Sequence, residues 1–158
     1  MRTINVDIRP EPYQRSFFTQ RERLSGMYSG RGVGKSWVMH NKACIALASG
    51  ENVLYLTPTN SLLRKQMMPR MLSTLRSWGL TATWNKSDET ISVDGSTGIL
   101  WGASYRNYDD VCRGAAGVST VCYHELAKAD DLPMLFAAVA PTMRGARFEP
   151  QTIYATTP

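Results

Sequence analysis

No stretch of this chain approaches the ~20 consecutive apolar residues that a membrane-spanning helix requires, and the polar N-terminus lacks the pattern of a secretory leader. Cysteine is scarce. Cys44, Cys112 and Cys122 are odd in number and none stands in a CxxC pair, so neither disulfides nor a zinc knot are expected. All three read as reduced thiols in or near a core, and cytosolic residence is the expectation. Internal repeats, low-complexity tracts and linkers are also missing. What remains is a chain of 158 residues, 43% apolar and 20% charged, which suits one domain with a real hydrophobic core.

The formal net charge is +5, which favours association with polyanions. The signal is modest along the chain, because Arg21, Arg23, Arg64, Lys65, Arg70, Arg76, Arg113, Arg144 and Arg147 read as scattered.

The most informative stretch is Ser29-Gly30-Arg31-Gly32-Val33-Gly34-Lys35-Ser36, preceded by the apolar run Leu24 to Tyr28 and followed by an amphipathic pattern from Trp37 to Leu47. Strand, glycine loop and helix form the context of a P-loop. Small residues let consecutive backbone N–H groups converge on phosphate oxygens, and the helix N-terminus adds its positive dipole end. Lys35 is expected to reach the β- and γ-phosphates, and the Ser36 hydroxyl to bind Mg²⁺. Ser29 stands where the consensus has glycine, a small departure where small size matters most.

Strand and helix patterns alternate, which predicts an α/β fold with a mostly parallel sheet flanked by helices. Asn52 to Thr57 reads as a strand ended by Pro58. A helix capped by Thr59 or Asn60 is predicted to run to about Trp78, with Leu62, Leu63, Met67, Met68, Met71, Leu72 and Leu75 on its core face. Gly79–Trp84, Thr90–Val93 and Thr97–Gly102 read as short strands, together a β-excursion over about residues 79–102. Val118–Tyr123 is a strand opening onto His124-Glu125. Leu132 to Met143 reads as a helix that Pro141 ends early, and Gln151–Thr156 as the last strand.

A P-loop ATPase needs an acidic cluster at the end of a neighbouring strand, one carboxylate to steady Mg²⁺ and the next to polarise water. Glu125 fits the second role. His124 stands where aspartate is expected, and neutral imidazole brings neither a hard oxygen nor a negative charge. A plainer alternative makes Glu125 a helix-start residue and His124 a surface imidazole. Tyr13-Gln14 has the chemistry of an adenine reader, a ring to stack and an amide to bond the base edge. Arg31, inside the loop, is placed to stabilise transition-state charge in cis. Arg113 lies on what reads as an exposed loop, Arg106 to Gly117, from which it would reach a neighbouring subunit as an arginine finger; on spacing alone it reads as a surface charge.

In this order, Pro12-Tyr13-Gln14, the loop SGRGVGKS, the LTPT ending of the second strand, Arg113-Gly114 and the terminal Ala155-Thr156-Thr157-Pro158 resemble the N-terminal ATPase domain of a tailed-phage large terminase subunit, the viral genome-packaging motor. The resemblance covers nearly the whole chain. It implies a P-loop NTPase fold of the additional-strand (RecA/helicase-like) type over residues 1–158, ATP and Mg²⁺ as cofactors, and hydrolysis coupled to movement of double-stranded DNA. It further implies a homo-oligomeric ring, a portal protein and a small terminase subunit as partners, and action in the host cytoplasm. By the same resemblance Gln14 reads adenine. Arg31, Gly32, Gly34, Lys35 and Ser36 hold phosphates and metal, Glu125 is the catalytic glutamate, and Arg113 acts in trans. Thr156 and Thr157 sense the γ-phosphate and relay hydrolysis. His124 departs from the family's aspartate, and no carboxylate set for a nuclease is visible. Two alternatives stand beside the motor: a nucleotide-binding assembly or regulatory module with weak or no turnover, and another additional-strand enzyme such as a helicase fragment or repair ATPase. For a helicase, 158 residues leave no room for a second lobe.

Overall fold

The computed structural model describes residues 6–19 and 22–157; Arg21 and Pro158 lie outside the described residues. Seven strands form one sheet: β1 (Leu24–Tyr28), β2 (Asn52–Thr57), β3 (Ala82–Asn85), β4 (Thr90–Val93), β5 (Ile99–Ser104), β6 (Val118–His124) and β7 (Gln151–Thr156). Their spatial order is β1-β7-β6-β2-β5-β4-β3. The first five in that order run parallel, and β4 and β3 close one side as an antiparallel hairpin. The β-excursion is therefore the β3–β4 hairpin alone. β5 belongs to the main sheet, where it pairs with β2 from Val53↔Leu100 to Thr57↔Ser104.

Helices α1 (Pro12–Thr19), α2 (Lys35–Ala48), α3 (Asn60–Leu62) and α4 (Met68–Ser77) cover one face; α5 (Tyr108–Gly114) and α6 (Leu132–Val139) cover the other. The β2 sequence explains why both faces are covered. Its side chains alternate across the sheet, so Val53 and Tyr55 enter the core under α2 and α4 while Leu54 and Leu56 enter the core under α5 and α6. An uninterrupted apolar run is what a strand buried on both faces requires. All seven residues of β6 are buried, which marks it as the centre of the molecule.

Thr59 caps α3, its hydroxyl accepting from the Leu62 amide at 3.2 Å. The predicted single helix from there to Trp78 is interrupted by a π turn, Leu63–Met67. Pro69 supplies a reason: it has no N–H to donate and its ring would crowd the preceding turn, which the wider turn relieves. At the other end, α6 stops at Val139 and passes into a 3₁₀ turn, Ala140–Met143, at Pro141. The predicted loop around Arg113 is instead helical. Asp109 and Asp110 sit in the first turn of α5, and Arg113 pairs with Asp109 one turn away at 2.5 Å.

His40 on α2 joins α4 through a 2.9 Å contact between Nε2 and Thr74 Oγ1. Burial, reinforced by the nearby Arg70 charge, lowers its pKa to about 4, so the folded state holds it neutral. The unfolded chain binds that proton near the ordinary value of 6.5, so the stability due to a neutral His40 is complete above pH 6.5 and is lost as pH falls toward 4. Denaturant unfolding should show a loss of roughly 3 kcal/mol across that window, at ~1.4 kcal/mol per pH unit. His40→Gln should flatten the profile, and an unchanged acid slope in that variant would place the sensitivity elsewhere.

Candidate nucleotide site

The parallel strands direct their C-terminal ends to one edge of the sheet, the edge at which α/β folds bind ligands. Ser29 to Gly34 leave β1 there and turn into α2. Gly32 and Gly34 adopt φ of 82° and 78°, a left-handed conformation that glycine accepts without strain. A Cβ on Gly34 would also collide with Gln14 Nε2. No side chain caps α2, so its first N–H groups lack intrahelical partners and face the loop.

Lys35 is buried, and its ammonium donates to the Ser29 and Gly30 carbonyls at 2.5 and 2.7 Å. It thus bridges the loop it is expected to serve. Arg31, at the loop's tip, is exposed. Gln14 is buried beneath the loop: Nε2 donates to the Val33 carbonyl at 3.1 Å and Oε1 accepts from the Glu11 amide at 3.0 Å. Tyr13 donates its hydroxyl to the same Val33 carbonyl at 2.9 Å, leaving its ring 56% exposed. Both ends of the Gln14 amide are therefore engaged with backbone, while the Tyr13 ring is free to stack.

Across the edge, β6 brings His124 to Ser36: Nε2 and Oγ lie 2.8 Å apart. His124 is buried, and burial lowers its pKa against the opposing pull of Glu125, with Lys128 and Lys35 adding to the lowering. It is a neutral ring in a polar contact, so the surface-imidazole alternative does not describe it. Its Nδ1 is buried with no partner among the described residues. Tyr105, which the sequence did not single out, donates its hydroxyl to the His124 carbonyl at 2.8 Å and pins the strand end. No periodicity or motif marks that tyrosine beforehand.

Glu125 follows in a left-handed conformation, φ 55° and ψ 54°, uncommon for a residue with a side chain. Its carboxylate oxygens accept the Thr157 hydroxyl, both at 3.0 Å, and one accepts the Thr157 amide at 3.3 Å. Thr156 Oγ1 accepts from the Ala127 amide at 3.2 Å. The acidic strand end and the terminal threonines thus form one hydrogen-bonded unit. Arg113 lies apart, exposed on α5 and paired with Asp109.

No group of three or more His, Cys, Asp or Glu residues able to cage a metal occurs among the described residues. The hard donor where α2 meets β6 is Ser36 Oγ, and Mg²⁺ that arrives with phosphates is commonly held by one or two protein oxygens. Ser36 would be its direct ligand, with His124 behind it.

No family model matches the chain, and no curated protein matches it. Solved structures do. The large terminase ATPase domain of Thermus phage P74-26 superposes with a TM-score of 0.77 at 17% identity, over 95% of this chain and 65% of that one. The large terminase of a thermophilic bacteriophage, solved also in complex with ADP and with ATP-γ-S, gives 0.74 at 15%, over 92% of this chain and 38% of that one. The bacteriophage HK97 large terminase gives 0.72 at 14%, over 97% and 34%. The chain has the fold of the ATPase domain of phage large terminases, and it spans a little over a third of the thermophilic-phage protein.

The Gln14 geometry yields a discriminating expectation. If its amide serves the loop, Gln14→Leu weakens ATP and GTP binding alike in equilibrium titrations. A loss confined to ATP would restore the adenine-reading role.

Proposed function

We propose that this chain is the ATP-hydrolysing motor domain of a large terminase subunit, coupling turnover to the movement of double-stranded DNA into a procapsid. The carrying observation is the 2.8 Å contact between Ser36 and His124, which joins the first turn of α2 to the end of the strand that leads into Glu125. The fold likeness, and the nucleotide complexes of the thermophilic-phage protein, support the same reading.

In this reading Gly30, Arg31, Gly32, Val33 and Gly34 wrap the phosphates through backbone amides, with Ser29 at the loop's entry. Lys35 leaves the Ser29 and Gly30 carbonyls for the β- and γ-phosphate oxygens, an exchange of neutral acceptors for charged ones. Mg²⁺, when bound with ATP, supplies charge neutralisation across those oxygens. Ser36 offers it a hydroxyl oxygen, and His124 orients that hydroxyl. Glu125 accepts a proton from the attacking water as Thr157 releases its carboxylate. Arg31 in cis and Arg113 from a neighbouring subunit stabilise the charge on the departing phosphoryl group. Thr156 and Thr157 then carry the change at Glu125 into β7. A ring of such subunits on a portal protein, supplied with DNA by a small terminase subunit in the host cytoplasm, completes the proposal.

The neutral state of His124 favours a second reading, a nucleotide-binding assembly or regulatory module with little turnover, because the usual negative charge behind the metal is missing. Three variants separate the two. Lys35→Ala should weaken ATP binding about 10- to 100-fold, the loss of charge-assisted hydrogen bonds at ~1.5–3 kcal/mol. Glu125→Ala should keep binding while turnover drops by ~10²–10⁴. His124→Asp should raise Mg²⁺-dependent turnover. Undiminished ATP affinity in Lys35→Ala would remove the nucleotide site, undiminished turnover in Glu125→Ala would overturn the role given to the acidic strand end, and a parent that binds ATP without turning it over would leave the binding-module reading.

A further inference from the structure

The acids, rather than the basic residues, are unevenly distributed along the chain. Residues 23–87 hold nine lysines and arginines against one acid, Glu51, whereas residues 88–158 hold nine acids against five basic residues. The first set supplies β1, α2 and the α3–α4 layer. The second supplies the β3–β4 hairpin with Asp88, Glu89 and Asp94, and the layer of α5 and α6, where Asp109, Asp110, Asp130 and Asp131 stand beside Arg106, Arg113, Lys128, Arg144 and Arg147.

The outward face of α3, the π turn and α4 is unusual in its chemistry. Its exposed residues between 60 and 77 are Asn60, Ser61, Gln66, Ser73 and Ser77 together with Arg64, Lys65, Arg70 and Arg76. Every one carries a hydrogen-bond donor; none is a carboxylate, an aliphatic or an aromatic residue. Soluble surfaces ordinarily intersperse both signs. Arg64 is neutralised by its ion pair with the buried Glu89, which ties the π turn to the β3–β4 turn, where Lys86 lies 5.3 Å over the Trp84 ring and Asp88 is exposed. Arg76 also donates to the Ala82 carbonyl at 3.3 Å. The one acid that approaches from the N-terminal arm, Asp7, is itself paired with Arg9 at 2.7 Å.

We propose that this face, with Lys65, Arg70, Arg76 and Lys86 as its charges without a carboxylate partner, is a contact surface for the phosphate backbone of duplex nucleic acid. It deepens the packaging reading, on which the choice of DNA as the polyanion rests. Phosphate oxygens need donors only, and arginine, lysine, serine, asparagine and glutamine are the side chains that contact them. A single strand would call for exposed aromatic platforms, and a bilayer surface for exposed apolar residues; the face offers neither. Its length, ~27 Å at ~1.5 Å per residue, matches roughly eight base pairs at ~3.4 Å each.

The test is a fluorescence-anisotropy titration of a short duplex of arbitrary sequence against salt, for the parent, for the Lys65→Gln/Arg70→Gln/Lys86→Gln triple variant, and for Asp110→Asn/Asp130→Asn on the opposite layer. The parent's affinity should fall steeply with salt and depend little on sequence. The triple variant should bind weakly, its log–log salt slope shallower by about 0.9 per contact removed. The aspartate variant should bind at least as well as the parent. Parental affinity and slope in the triple variant would overturn the assignment, as would duplex binding by the parent that is absent or indifferent to salt. Single-stranded DNA bound as tightly as duplex, or anionic vesicles bound in preference to both, would overturn it in favour of another ligand. ATP affinity measured on the same triple variant should be unchanged, so a failure of the DNA surface is distinguishable from a failure of the nucleotide site.

Discussion

The contact between Ser36 and His124 is the constraint on which the site depends. Ser36 stands in the first turn of α2 and His124 at the end of β6, and β7 separates β6 from β1, the strand that feeds the loop. A side chain must therefore cross the end of β7 for loop and acidic strand to act together. Here a buried imidazole makes that crossing, at 2.8 Å. Burying it requires the ring to be neutral, and its lowered pKa follows from that burial. An aspartate in its place would add a negative charge at this edge; the neutral imidazole adds none.

The same edge concentrates backbone strain. Glu125 and Glu89 are the non-glycine residues with positive φ among those described, and each carboxylate has a specific partner, Thr157 for one and Arg64 for the other. Such conformations persist where surrounding contacts over-determine them. At Glu125 these contacts are the buried strand behind it, the Tyr105 hydroxyl on the preceding carbonyl, and the threonine pair of β7. The carboxylate is consequently attached to a neighbouring strand, so any change in what it bonds is felt by that strand directly.

Much of this was legible in advance. β1, β2, β4 and β7 have the predicted bounds because each is a short apolar or alternating run closed by a turn residue, and the P-loop context was correct on both flanks. The misses share a cause. Helix α5 is too short and too polar to show periodicity, and its Asp109–Arg113 pair is visible only once the turn has formed. β5 looked like part of an excursion because its membership of the main sheet is settled by pairing with β2, a partner far away in sequence. Gln14 was legible as an amide near the loop, but not as one whose two ends are engaged with the Glu11 and Val33 backbone. The basic residues are dispersed over both layers, as read; what the chain order hid is the sorting of the acids, none of which is exposed between residues 60 and 77.

That sorting also bears on how the site edge is framed. The sheet places an acid-poor layer of α2, α3 and α4 on one side and a layer of mixed charge around α5 and α6 on the other, with the loop and strand ends between them. Lys35 and Lys128 act on His124 from within this edge, and both push it toward neutrality while Glu125 alone pulls the other way.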